Sequence, residues 1–181
     1  MVYGLRFGRL RVSLLTALAA ALLLPATTLA ADITGTSGPD TIYGTAGDYN
    51  INARAGADMV FARGGDDTVR GGRGRDMLHG ADGQDAMAGG PGKDIIRGGR
   101  AADDLFGDGG DDTIYGGRGS DMIDGGPGND TMYGGRGNDT IQAIDGEADT
   151  ISCGRGTDDT VFIDAGIDTV ADNCEHVTGL G

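Results

Sequence analysis

The fold is decided by a nine-residue unit, whose clearest copies are GGRGSDMID at residues 116–124 and GGPGNDTMY at residues 125–133. Twelve consecutive copies fill residues 35–142 without an insertion. The sixth place is Asp in eleven copies, the fourth place is Gly in eleven, and the eighth place is apolar in all twelve. Three columns in phase over such a length are typical of a repeat architecture in which successive units stack.

Each place of the unit predicts a local structure. Glycine at the first and fourth places favours a tight loop, because it permits positive φ and close approach of neighbouring backbones. The last three places set one apolar residue between two mostly polar ones, which predicts a short strand with one inward side chain. Two units then form one coil of 18 residues, and the coils stack about 4.8 Å apart. We therefore expect an all-β fold of stacked coils with two facing sheets.

The eighth-place side chains of the two facing sheets should meet as a thin apolar core. They are Ile42, Ile51, Val60, Val69, Leu78, Met87, Ile96, Leu105, Ile114, Ile123, Met132 and Ile141. One aliphatic side chain for every nine ordered residues is little apolar burial, so another interaction must help to hold the coils together.

The composition excludes several fold classes. The 181 residues include 37 Gly and no Trp, which excludes an ordinary helical bundle, since Gly destabilises a helix interior. Collagen is excluded because there are only 4 Pro and Gly does not recur at every third residue. The net charge of −14 makes disorder the main alternative, but a regular repeat argues against it. So acidic a chain is not expected to bind nucleic acid or to insert into a membrane.

The repeated Asp predicts a cation site. In such a coil, carboxylates of alternate units stack about 4.8 Å apart and repel one another unless a cation lies between them. Calcium fits best, because it accepts six to eight oxygen ligands in flexible geometry, whereas magnesium needs a stricter octahedron. The chain has only two His and two Cys, which argues against zinc or copper. One edge of the roll carries Asp40, Asp58, Asp76, Asp94, Asp112 and Asp130; the other carries Asp67, Asp85, Asp103, Asp121 and Asp139.

The unit resembles the G-G-x-G-x-D-x-U-x motif of the RTX, or hemolysin-type, calcium-binding repeat proteins. The resemblance covers residues 35–142 and implies a parallel β-roll, which is a right-handed β-solenoid, with calcium bound in the turns. It also implies that the eleven Asp residues named above, together with loop carbonyls, are calcium ligands. The second copy departs from the motif, because Tyr49 occupies the sixth place. The eighth copy departs at Ala101, where we expect a strained loop.

Residues 1–30 are predicted to be a signal peptide. Three Arg precede the apolar run 12–24, which is followed by Pro25 and small residues ending at Ala30 and Ala31. The run is shorter than the roughly 20 residues needed to cross a bilayer. We therefore expect cleavage after Ala30 or Ala31 and a secreted, extracellular protein.

Residues 143–181 are predicted to be degenerate repeats that cap the roll, after the main roll of residues 31–142. The Asp-x-apolar signature persists at Asp149, Asp159 and Asp168, although the period slips. A solenoid needs such atypical ends to cover its last apolar layer and strand edges. The only cysteines, Cys153 and Cys174, lie in this segment, where they could form a disulfide or remain two unpaired thiols.

These patterns predict a secreted, monomeric calcium-binding protein without catalytic activity, which folds when calcium binds. One alternative is an extracellular structural or adhesive module that binds a cell-surface glycan or protein. Another is a β-helix enzyme that acts on an acidic polysaccharide. Arg100, Arg118 and Arg136, which recur in every second unit, could face an acidic partner, but charge balance with neighbouring Asp is the simpler explanation.

Overall fold

The computed structural model describes residues 30–180, which fold entirely as strands and turns. The predicted signal peptide, residues 1–30, therefore lies outside the described residues except for Ala30. No helix in residues 30–180 is long and apolar enough to cross a membrane. The strands are β1 Ala31–Thr34, β2 Thr41–Tyr43, β3 Tyr49–Gly56, β4 Met59–Gly64, β5 Thr68–Gly74, β6 Met77–Asp82, β7 Ala86–Pro91, β8 Ile95–Arg100, β9 Asp104–Gly109, β10 Thr113–Arg118, β11 Met122–Asp124, β12 Thr131–Arg136, β13 Thr140–Ala143, β14 Thr150–Arg155, β15 Thr160–Asp164, β16 Thr169–Val170 and β17 His176–Leu180.

The strands form two parallel sheets, and successive strands of the chain alternate between them. The nine odd-numbered strands follow one another in one sheet, and the eight even-numbered strands do so in the other. Ile114 of β10 pairs with Ile96 of β8 and with Met132 of β12, so each strand pairs with the strands of the preceding and following coils. The predicted parallel β-roll, in which two units make one coil, is confirmed.

Many strands are longer than the three residues that the repeat predicts. In β10, pairing continues past the last places of one unit to Gly117 and Arg118, the second and third places of the next unit. These two residues pair with the equivalent residues of β8 and β12. In these strands the first half of the Gly-rich loop thus belongs to the sheet, because its backbone groups pair with the equivalent groups of the neighbouring coils.

The core is a narrow layer of aliphatic side chains that the two facing sheets contribute along the axis of the roll. All twelve eighth-place side chains are buried, and the most accessible of them, Ile42, is 8% exposed. The predicted core is therefore confirmed, and Ile151 and Val161 extend it into the C-terminal segment. The first place of each unit also points inward, but it is Gly in most copies and adds only small side chains such as Ala53 and Ala62.

The fourth-place glycine is required by the stacking of the coils. Gly74 has φ of +140°, and a Cβ there would overlap the carbonyl oxygen of Gly56 in the preceding coil. Ala101, at the equivalent place, has φ of +77°, a region that non-Gly residues rarely adopt. The strained loop expected at Ala101 is confirmed.

The two sheets continue through the C-terminal segment with a changed spacing. Thr131 pairs with Thr150 and Thr140 pairs with Thr160, so these coils are slightly longer than the regular ones. Cys153 in β14 forms a disulfide with Cys174, with their Cα atoms 5.2 Å apart. The disulfide is confirmed, and it ties the chain between β16 and β17 back to the core.

Replacing both cysteines, C153A/C174A, should lower the free energy of unfolding by about 3 kcal/mol, because the bond closes a loop of about 20 residues in the unfolded chain. The measurement is urea unfolding in calcium. A reducing agent should lower the stability of the unsubstituted protein by a similar amount and leave the variant unchanged. Equal stability of the two proteins would contradict this prediction.

Candidate metal centre

The repeated Asp residues form two ladders, one on each edge of the roll where a strand begins. In both ladders the backbone N–H of one Asp donates to Oδ1 of the Asp in the next coil. The N–O distance is 2.7 Å from Asp94 to Asp112 in the first ladder. It is 3.0 Å from Asp103 to Asp121 in the second ladder. Each carboxylate is therefore held by the backbone of the preceding coil.

Ten of the eleven predicted ligands lie buried in these ladders, each no more than 2% exposed. They are Asp58, Asp67, Asp76, Asp85, Asp94, Asp103, Asp112, Asp121, Asp130 and Asp139. Asp40 is placed differently, because it lies in the first loop of the roll. It is only half-buried, and its Oδ2 accepts hydrogen bonds from the backbone N–H and the hydroxyl of Thr36.

Two further carboxylates belong to the ladders, although the regular repeat did not assign them. Asp149 and Asp159 are buried, and their Oδ1 atoms accept the N–H groups of Asp130 and Asp139 at 2.8 Å. Asp168 and Glu175 accept the N–H groups of Asp149 and Asp159 and end the two ladders. The Asp-x-apolar signature was visible in the sequence, but the slipped period hid its register.

The second ladder begins at Tyr49, because the second unit has Tyr instead of Asp at its sixth place. The backbone N–H of Tyr49 donates to Oδ1 of Asp67 at 2.8 Å, as an Asp in that place would do. Its phenol oxygen lies 2.6 Å from Oγ1 of Thr45. Tyr49 therefore keeps the backbone register of the ladder and supplies no anionic oxygen.

The second carboxylate oxygen of each buried ladder member has no partner among the described residues. Twelve Oδ2 atoms are buried without a hydrogen bond: those of Asp58, Asp67, Asp76, Asp85, Asp94, Asp103, Asp112, Asp121, Asp130, Asp139, Asp149 and Asp159. A buried anionic oxygen without a partner is costly, and native proteins satisfy such atoms with a donor or a cation. Two periodic rows of six such atoms, one in each ladder, therefore point to cations at the same interval.

Glycine at the first place of the unit leaves oxygen-lined space beside these atoms. A Cβ on Gly71 would lie 2.6 Å from Oδ2 of Asp76 and 2.6 Å from the carbonyl oxygen of Gly89 in the next coil. A carboxylate oxygen and a carbonyl oxygen from different coils therefore approach the same glycine. This combination of hard oxygen donors suits calcium.

Side chains alone would not complete the coordination of an ion. Residues 30–180 contain no group of three or more His, Cys, Asp or Glu side chains placed around one point. Backbone carbonyls of the Gly-rich loops must then supply the remaining ligands, which is common for calcium and unusual for zinc or copper. The residues present thus fit calcium, with ladder Asp as its anionic ligands.

Burial changes the acidity of the ladders. It raises the pKa of Asp103, Asp112 and Asp149 from the ordinary 3.8 to about 7, against the opposing effect of the backbone N–H that each Oδ1 accepts. The charges of neighbouring Asp residues raise these pKa values further. Burial likewise raises the pKa of Asp85 and Asp94 to about 6.

A parallel β-roll with rows of buried Asp between Gly-rich turns defines a class of calcium-binding repeat proteins. The family model for the RTX calcium-binding nonapeptide repeat matches this chain at residues 32–60, 50–78, 61–96, 79–114, 88–123 and 106–141. The matches together cover residues 32–141, more than half of the chain. The protein therefore belongs to the RTX calcium-binding nonapeptide repeat family, and its repeats are calcium-binding. A search of curated proteins finds no match to the chain.

Asp112→Asn should weaken calcium binding at the neighbouring sites about tenfold, because it removes a ligand charge while retaining the oxygen that accepts the N–H of Asp94. Isothermal titration calorimetry measures the effect. Asp111→Asn is the matched control, since the adjacent Asp111 is exposed and pairs with Lys93 at 3.6 Å. Equal losses in the two variants would contradict a ligand role for Asp112.

The stability of the calcium-free roll should fall as the pH rises from about 4 to about 7. Because burial raises the pKa of Asp103, Asp112 and Asp149 to about 7, the folded roll binds more protons than the unfolded chain in this range. Their stabilising effect is complete below 3.8 and is lost through about 7. Calcium affinity should rise over the same window, because the ion and the proton compete for the carboxylates.

Far-UV circular dichroism in a chelator and calcium titration, both at several pH values, measure the two trends. A larger β signal from the calcium-free protein at pH 7.5 than at pH 5 would contradict the first prediction. A calcium affinity that does not change with pH would contradict the second.

Proposed function

We propose that the protein is a secreted, non-catalytic calcium binder whose roll folds when calcium binds between the coils. The observation that carries this proposal is the two periodic rows of six buried Oδ2 atoms that no described group satisfies. A cation between the coils would satisfy these atoms and remove the repulsion between stacked carboxylates.

The thin core supports the link between calcium and folding. Each unit buries one aliphatic side chain such as Ile114, while each coil also desolvates two carboxylates. Apolar burial offsets this desolvation cost only weakly. The other inward-facing position, the first place of the unit, is mostly Gly and adds little apolar surface. Calcium binding supplies the missing stabilisation, so binding and folding form one equilibrium.

Secretion is consistent with calcium binding by the ladder carboxylates and with the disulfide. Extracellular calcium modules bind the ion at roughly 10⁻⁴ to 10⁻³ M, so a site of this kind would fill after export. The Cys153–Cys174 disulfide is typical of an oxidising compartment, and the sequence of residues 1–30 predicts a signal peptide.

A non-catalytic role is supported by the placement of the ladder carboxylates. Asp94 and Asp112 are buried, and each accepts a backbone N–H through Oδ1. A general acid or base must come within hydrogen-bond reach of its substrate, which these carboxylates are too buried to do. Cleavage of an acidic polysaccharide by the calcium-loaded protein would contradict this part of the proposal.

Far-UV circular dichroism of the protein should show β-structure growing with calcium, with a midpoint at roughly 10⁻⁴ to 10⁻³ M. Magnesium at the same ionic strength is the control and should produce much less change, because it needs a stricter octahedron. The proposal fails if the β signal is complete in a chelator, or if magnesium produces the same transition.

A further inference from the structure

The last carboxylate of the second ladder is a glutamate that lies beyond the matched repeats, which end at residue 141. Oε2 of Glu175 accepts the backbone N–H of Asp159 at 3.0 Å, as Oδ1 of an Asp does elsewhere in the ladder. Glu175 follows Asp159 by 16 residues, whereas ladder carboxylates in the regular repeats are 18 residues apart. The extra methylene of Glu extends the reach of its carboxylate from this shorter last coil.

The carboxylate of Asp159 has the surroundings of a cation site. Asp159 is 0% exposed, and its Oδ2 has no hydrogen-bond partner among the described residues. A Cβ on Gly156 would lie 2.5 Å from Oδ1 and 2.6 Å from Oδ2 of Asp159, and it would overlap the carbonyl oxygen of Gly137 in the preceding coil. Glycine therefore leaves a gap lined by carboxylate and carbonyl oxygens, which are the donors that calcium prefers. Glu175 is exposed, so ions reach this end of the ladder from solvent.

The disulfide connects Glu175 to the body of the same ladder. Cys174 is the neighbour of Glu175 in the chain. Its partner Cys153 is buried in the core. A Cβ on Gly134 would lie 2.6 Å from the carbonyl oxygen of Cys153 and would also contact Oδ2 of Asp139. Cys153 thus supplies a loop carbonyl to the ladder, while Cys174 places the next carboxylate.

Few other interactions hold Glu175 in place. The strand that follows it, β17, pairs with β15 along one edge, and all five of its side chains are exposed. Val177 and Leu180 are 44% and 57% exposed, so the strand adds little apolar burial. Terminal segments with so few buried contacts open locally at little cost in free energy. The disulfide is therefore the covalent link that keeps Glu175 beside Asp159.

We propose that Asp159 and Glu175 form an additional calcium site at the C-terminal end of the second ladder, which is complete only while the Cys153–Cys174 disulfide is closed. A reducing dithiol transfers two electrons and two protons to the disulfide, which gives two thiols, and is itself oxidised to a disulfide. The last strand then separates from β15, and Asp159 loses the second carboxylate of the site. Calcium binding at this end therefore requires an oxidising compartment.

The test counts the calcium bound to the full chain by isothermal titration calorimetry, before and after reduction with dithiothreitol. The oxidised protein should bind about one calcium ion more than the reduced protein. Glu175→Gln, which retains an oxygen for the N–H of Asp159 but removes the charge, should lose the same ion without reduction. Glu147→Gln is the matched control, because Glu147 is the only other Glu of the chain and is exposed in the same C-terminal segment. It should bind as many ions as the unsubstituted protein.

Amide hydrogen exchange locates the missing ion. The N–H of His176 donates to the carbonyl oxygen of Asp159 at 2.9 Å and reports on this end of the ladder. Calcium should slow its exchange roughly tenfold in the oxidised protein, because binding closes the local opening. The effect should be absent after reduction and in E175Q, while the amides of the central coils remain protected in both.

A combined variant separates a linked site from a general loss of stability. Because C153A/C174A and E175Q remove the same ion, C153A/C174A/E175Q should bind as many ions as C153A/C174A. Loss of a further ion in the combined variant would overturn the link between the disulfide and the site. Equal counts for oxidised and reduced protein, or an equal loss in E175Q and E147Q, would overturn the inference as a whole.

The inference rests on the proposed calcium-dependent folding, and circular dichroism of the same samples tests that proposal separately. A missing response of the oxidised, unsubstituted protein to calcium would refute the proposed function. A normal response together with an unchanged calcium count in E175Q would refute the terminal site alone.

Discussion

The structure depends on one repeated interaction, the carboxylate that joins two successive coils. Oδ1 of each ladder Asp accepts the backbone N–H of the equivalent residue one coil earlier, as from Asp76 to Asp94. Oδ2 remains buried and without a partner among the described residues. One oxygen therefore fixes the register of the coils, while the other is a buried anionic atom that a bound cation would satisfy. The same side chain thus determines the geometry of the roll and presents an oxygen suited to calcium.

The stacking of the carboxylates requires glycine in the loops of the unit. A coil can approach its neighbour closely enough for the ladder only where no side chain intervenes, and a Cβ on Gly71 would approach Asp76 and the backbone of the next coil. Gly74 also needs positive φ. These residues add almost nothing to the core, so the sequence that permits the ladder also limits apolar burial.

The sequence predicted the fold, the core and most of the ladder, because every unit repeats the same local pattern in the same phase. It did not assign Asp149 and Asp159, since one or two added residues change the apparent period while the pairing of Thr131 with Thr150 restores the register. It also did not distinguish Asp40 from the other Asp residues. That difference arises because Asp40 lies in the first loop of the roll, where Thr36 can reach its Oδ2.

A repeat turns any residue that recurs at one place into a row, so a row alone is weak evidence of a function. The third place of the unit distinguishes the two edges of this roll. On the edge of the nine-stranded sheet the third place carries Ser37, Ala55, Arg73, Pro91, Gly109 and Pro127, which share no charge or size. On the other edge Arg100, Arg118, Arg136 and Arg155 follow one another, and the added residue before Arg155 does not displace it from the row, because Arg136 pairs with Arg155. The arginine row is thus kept where the exact period is lost, and the loop geometry alone, which tolerates such different residues on the opposite edge, does not require it.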